Sequence, residues 1–94
     1  MICTEQAMTR PTDAQQLAIQ ARLNSVLGAE DYDRMFLGFR VEDIEDESLF
    51  AHARSEYQAN QIETRYGRQL AAVVQSVTGH PIARVTVRAK RWAD

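Results

Sequence analysis

Two histidines, one cysteine, thirteen carboxylates and eleven basic side chains are the groups through which this 94-residue chain could do chemistry. Their spacing limits what that chemistry can be. His52 alternates with Ala51 and Ala53 and so points out of a strand, while His80 sits in a turn between Gly79 and Pro81. Cys3 falls in an unpatterned N-terminal stretch, away from both. A structural zinc site needs about four placed ligands, and a thiol nucleophile needs a base in reach. Neither a metal nor a thiol site is expected. The carboxylates crowd between Glu30 and Glu47, where eight acids face only Arg34 and Arg40. They fall in a helix's first turn and a hairpin turn, the usual places for solvated acids. Paired acid/base carboxylates would also need a cleft that so short a chain rarely builds. No Gly-rich phosphate loop of Walker or Rossmann type is present. The chain reads as a non-enzyme without a cofactor, and its function is to be sought on its surfaces.

Charge points to two such surfaces. Residues 1–53 carry ten acids against four arginines, and residues 54–94 carry three acids against seven basic side chains. Such a division can steer encounters with a charged partner. The basic half ends in Arg84, Arg88 and Lys90 on one strand face, extended by Arg91 and Trp92. That group could meet phosphates with an aromatic nearby for stacking. Three charges are equally what a solvated strand face looks like, and a net charge of −2 with a pI near 5.6 argues against dedicated nucleic-acid binding.

The elements that must hold these groups follow from apolar spacing. Residues 1–12 show no periodicity and read as a disordered tail. Thr12 and Gln15 then stand at capping-box spacing, and Ile19, Leu23, Val26 and Leu27 form one face of a helix that Gly28 ends. A second helix fits 29–38, with Glu30, Asp31 and Asp33 near the positive end of its dipole. Phe39, Val41 and Ile44, then Leu49, Ala51 and Ala53, predict an antiparallel hairpin turning at Glu45 to Ser48. Val41 and Ile44 are three apart, so a bulge is expected between them. Ser55 and Gln58 open a long helix whose stripe runs Ile62, Tyr66, Leu70, Val73, Val74, Val77. Gly67 falls inside it at a cost of roughly 1 kcal/mol; Gly79 and Pro81 stop it. Last, Ala83, Val85, Val87 and Ala89 alternate with Arg84, Thr86, Arg88 and Lys90, a half-buried strand with a basic face.

A chain of this length hides roughly 60–65% of its unfolded surface, enough for one core. Apolar residues at 45% and charged residues at 26% are ordinary for a folded domain. The lone cysteine suits a reducing compartment, no stretch approaches the ~18 apolar residues of a membrane span, and the opening residues lack a signal-peptide order. Cytoplasmic is the default. The predicted class is α+β, in the order α-α-β-β-α-β, with helices covering one face of a three-stranded sheet.

Over residues 22–70, RLNSVLGAEDYDRMFLGF followed by ESLFAHARSEYQANQIETRYGRQL resembles the N-terminal interaction domain of the bacterial replication initiator DnaA. The matching positions are Leu27, Asp31, Tyr32, Met35 and Phe36, Leu49, then Ser55, Tyr57, Ile62 and Tyr66, and the closing ARVTVR fits the family's last strand. Order and spacing carry the likeness, with no single diagnostic motif. It implies a KH-like fold over 13–90 and a C-terminal tail at 91–94. It also implies a platform that docks the replicative helicase, the initiator itself or regulators of either, with weak single-stranded DNA contact and homodimer formation in some members. Asp31 and Tyr57 match its helicase-facing residues, flanked by Glu30 and Tyr32. Plain structural roles compete: dipole complementation for Asp31, and packing at the core's edge for Tyr57. Two departures stand out. Gln16 falls about where the family carries a self-associating tryptophan, and Met35 or Phe36 replaces the tryptophan of the second helix. The 94 residues extend no further than this domain, so the likeness implies either a piece of an initiator or a stand-alone modulator. The arrangement and the kinship both require one continuous helix over 55–78.

Overall fold

The computed structural model describes residues 8–89 of the chain; Cys3, Lys90, Arg91 and Trp92 lie outside them. The elements are β1 (Met8–Thr9), α1 (Asp13–Leu27), α2 (Ala29–Phe36), β2 (Arg40–Glu45), β3 (Ser48–Ala53), α3 (Glu56–Arg65), α4 (Gly67–Thr78) and β4 (Arg84–Ala89). They build an α+β domain with one mixed sheet in the order β1-β2-β3-β4. The β1–β2 and β2–β3 pairs are antiparallel, and β3–β4 is parallel. Among the described residues no helix is long and apolar enough to cross a membrane.

Local chemistry sets the boundaries. Thr12 Oγ1 accepts from the Gln15 N–H at 3.1 Å, and the Gln15 side chain accepts from the Thr12 N–H at 2.9 Å, closing the capping box of α1. Ser55 caps α3 in the same way, its hydroxyl accepting from the Gln58 N–H at 3.1 Å. The β2–β3 hairpin turns through Asp46 and Glu47, with Asp46 at φ 57, a left-handed conformation that aspartate tolerates. Its ladder shifts register between Val41 and Asp43. The bulge expected from the Val41–Ile44 spacing is there, and it lets both side chains face the core.

Ile19, Leu23, Phe36, Ile44, Leu49, Ile62, Leu70 and Val74 are essentially fully buried and fill the space between sheet and helices. Phe36 is the centre of an aromatic group. It stacks on Tyr32 at 5.9 Å and meets Phe39 and Tyr66 edge-on at 5.1 and 5.7 Å.

Four expectations need correction. The helix over 55–78 is not continuous: Tyr66, at φ −117 and ψ 5, separates α3 from α4. The break has a packing reason, because α3 lies along β4 whereas α4 packs on α1. One straight rod would serve only one of those partners, and Gly67 supplies the weak point. The apolar stripe survives because the 62-to-66 and 66-to-70 backbone bonds persist across the break, at 3.0 and 2.8 Å. Second, residues 8–12 are not tail: Met8 and Thr9 pair with Glu45 and Ile44, giving the sheet a fourth, two-residue strand. Third, Val26 is 56% exposed, on the flank of a stripe that runs through Gln16, Ile19, Leu23 and Leu27. Fourth, Ala83 precedes the last strand and is exposed.

Candidate functional site

Four acidic and aromatic residues of α2 and α3 were the first surface to place. The Gln58 side chain donates to the Arg34 carbonyl at 2.9 Å and so ties the start of α3 to the end of α2. Arg34 in turn meets Asp31 one helical turn back, at 3.4 Å. The Gln58 contact sets the start of α3, which carries Tyr57, against the last turn of α2. Tyr57 is 64% exposed, so it does not pack at the core's edge. Glu30 is exposed as well. Asp31 is half-exposed and shares its carboxylate with Arg34. Tyr32 goes elsewhere, since its ring stacks on Phe36 and it faces α1 across a shallow depression lined by Leu17, Gln20 and Asn24. Burial raises the Tyr32 hydroxyl above its usual value near 10, and the charge of Asp33 adds to the rise. Glu30, Asp31 and Tyr57 are thus open to solvent on two helices in contact, which form one rim, while Tyr32 turns toward Phe36.

The open face of the sheet is the second surface. Leu49, Ala51 and Ala53 point to the helices, leaving Phe50 and His52 on the other side. Across the ladders Phe50 lies between Asp43 and Thr86, and His52 between Arg40 and Arg88. Glu42, Asp43, Glu45, Phe50, Thr86 and Arg88 line a shallow depression there. His52 Nδ1 is 2.8 Å from Glu42 Oε2. Such a pair could orient an imidazole as a base, and no hydroxyl is hydrogen-bonded to it among the described residues. It links β3 to β2 across the open face, with the His52 side chain largely covered. Arg84 and Arg88 are exposed as the alternation requires; Lys90 lies outside the described residues. Among the described residues no three His, Cys, Asp or Glu side chains are placed to hold a metal ion.

Two residues with structural weight escaped the sequence reading. Gln16 is only 4% exposed. Its carboxamide donates to the Val41 carbonyl at 2.6 Å and accepts from the Val41 N–H at 3.3 Å, taking the place of a neighbouring strand. A residue so engaged is not available for self-association. Leu17, one position on, is 66% exposed. A glutamine and a leucine within a polar helix carry no signal of either role.

No protein-family model and no curated protein matches this chain.

Proposed function

We propose that this chain is a protein-interaction module whose docking surface is the rim formed by α2 and the start of α3. The observation that carries this reading is Tyr57, a large ring left exposed at the start of a helix that Gln58 ties to the acid-bearing α2. Tyrosines held on rigid elements are frequent anchors of interfaces, because little conformational entropy is lost when they are covered. Acids around such an anchor select a basic partner surface and speed its encounter.

The partner class comes from the resemblance to the DnaA interaction domain: a replicative helicase, an initiator, or a regulator of either, working in the cytoplasm. That kinship requires a continuous helix over 55–78, and the break at Tyr66 does not meet the requirement. Ser55, Tyr57 and Ile62 nevertheless keep their order within α3. The exposure of Tyr57 supports the docking surface, and the resemblance supports the partner class.

Binding to purified replicative helicase and initiator tests both halves. Tyr57→Ala and Asp31→Ala are each expected to weaken association about tenfold, the effect of losing an anchor worth between 1 and 2 kcal/mol. No association of the unaltered chain at tens of micromolar would remove the partner assignment. Association that ignores both substitutions would remove the surface.

A second reading, single-stranded nucleic-acid binding on the open sheet face, is favoured by Phe50 lying beside Thr86 with Arg84 and Arg88 around it. Glu42, Asp43 and Glu45 oppose it on the same face. Two arginines give a salt slope of only about −1.4, so this binding is weak and secondary. If the double variant Arg84→Glu, Arg88→Glu keeps full oligonucleotide affinity, the reading fails.

A further inference from the structure

We propose that the outer edge of β4 is a strand-addition site for an extended acidic peptide of a partner protein. β4 is the last strand of the sheet, and among the described residues no strand pairs with its outer side. The Val87 N–H points to that side, because it donates to Glu63 Oε2 at 2.6 Å. Backbone groups of alternate residues face alternate edges, so Val85 and Ala89 present theirs in the same direction. Between Arg84 and Ala89 there is no proline and no bulge, two devices by which exposed edges refuse a new strand. Among the described residues, the Glu63 carboxylate is the one side chain that hydrogen-bonds this edge.

A depression meets this edge at the start of β4. Ile82, Ala83 and Val85 line it on one side, and Thr64, Arg65 and Arg68 line it at the α3–α4 junction. Arg65 and Arg68 approach from the helix side, and Arg84 and Arg88 project from the open face. All four are exposed, and none has a carboxylate within ion-pair distance among the described residues. A strand laid on this edge would have arginines on both of its faces. A second copy of β4 would bring arginines against arginines, which cross-strand pairing penalises. A peptide with acids along its length is what the charges admit. Glu63 occupies the position that a docking peptide's carbonyl would take, so it acts as a placeholder that the peptide displaces. This site shares no residue with the α2–α3 rim and does not depend on that reading.

Fluorescence anisotropy on the full chain tests the proposal, with a labelled ten-residue peptide alternating glutamate and threonine. Binding in the micromolar range is expected. It should fall at least tenfold when alternate peptide nitrogens are methylated, because methylation removes the ladder bonds and keeps the charge. The exposed double variant Arg65→Glu, Arg68→Glu should lose a similar factor. Glu63→Gln should bind about threefold more tightly, and amide exchange at Val85, Val87 and Ala89 should slow on binding. The double variant Asp31→Ala, Tyr57→Ala should bind the peptide unchanged. Four outcomes overturn the proposal: no binding at millimolar peptide, equal binding of the methylated peptide, loss of binding in the Asp31/Tyr57 variant, or tighter binding of a ten-nucleotide oligothymidylate.

Discussion

Along the outer edge of β2, backbone-like groups meet the strand: β1 pairs with Ile44 and Glu45, and the Gln16 carboxamide satisfies both polar groups of Val41. Along the outer edge of β4, the Glu63 carboxylate holds the single N–H of Val87. The arginines divide in a similar way. Of the four in the acidic half, Arg10, Arg34 and Arg40 each have a carboxylate partner, and Arg22 reaches the Ser76 hydroxyl at 3.4 Å. Arg65, Arg68, Arg84 and Arg88 have no carboxylate partner among the described residues. The outer edge of β2 has its hydrogen bonds met within the fold, whereas the outer edge of β4 has no neighbouring strand among the described residues. The contrast separates stability from recognition: the β2 edge belongs to the fold, and the β4 edge is where the fold has capacity to spare.

Substitutions can break that contrast or sharpen it. Gln16→Leu should have the largest effect. It strands the N–H and C=O of Val41 at a buried site, at about 1–3 kcal/mol for each unsatisfied group. Urea unfolding is expected to show a loss of about 2–4 kcal/mol; a loss below about 0.5 kcal/mol would mean that water or β1 seals this edge instead. Glu63→Ala removes the corresponding group on β4, where water can take its place. Its cost should be about 1 kcal/mol or less, with faster amide exchange at Val87 as the local sign. A cost equal to that of Gln16→Leu would erase the distinction between the edges. Arg10→Ala, which unties β1 from Asp43, removes an ion pair of 3.5 Å with Arg10 largely in solvent. It is expected to cost under about 0.5 kcal/mol, and that cost should vanish in high salt. A larger, salt-independent loss would show that β1 is held chiefly through Arg10.

Periodicity and cap chemistry made much of this fold legible. The Thr12–Gln15 and Ser55–Gln58 spacings marked two helix starts, because a hydroxyl three residues before a glutamine can satisfy free N–H groups. The three-residue gap from Val41 to Ile44 marked the bulge, since no regular strand puts both on one face. Strand alternation placed His52, Arg84 and Arg88 outside. What stayed hidden was non-local. An apolar stripe passes through Tyr66 whether or not the axis turns there; only the separate claims of β4 and α1 on the two halves explain the turn. Gln16 reads as a solvated helix position until β2 arrives beside it. The pairing of Met8 and Thr9 with β2 needs neighbours 37 and 35 residues away in sequence, and two residues cannot display a period. On the α2–α3 rim, the types and order of Glu30, Asp31 and Tyr57 were readable, whereas the diversion of Tyr32 toward Phe36 was a matter of side-chain packing.

The parallel pairing of β3 with β4 has a consequence for biogenesis. β3 leaves the ribosome next to its hairpin partner, but its other flank must wait until both crossover helices have been made. During that interval Leu49, Ala51 and Ala53 sit on a strand with an unclaimed ladder, the kind of template on which nascent chains aggregate. Translation stalled before residue 84 would leave a molecule with most of its apolar residues and no closing strand. Chaperone demand on this domain should therefore persist until Arg84–Ala89 docks.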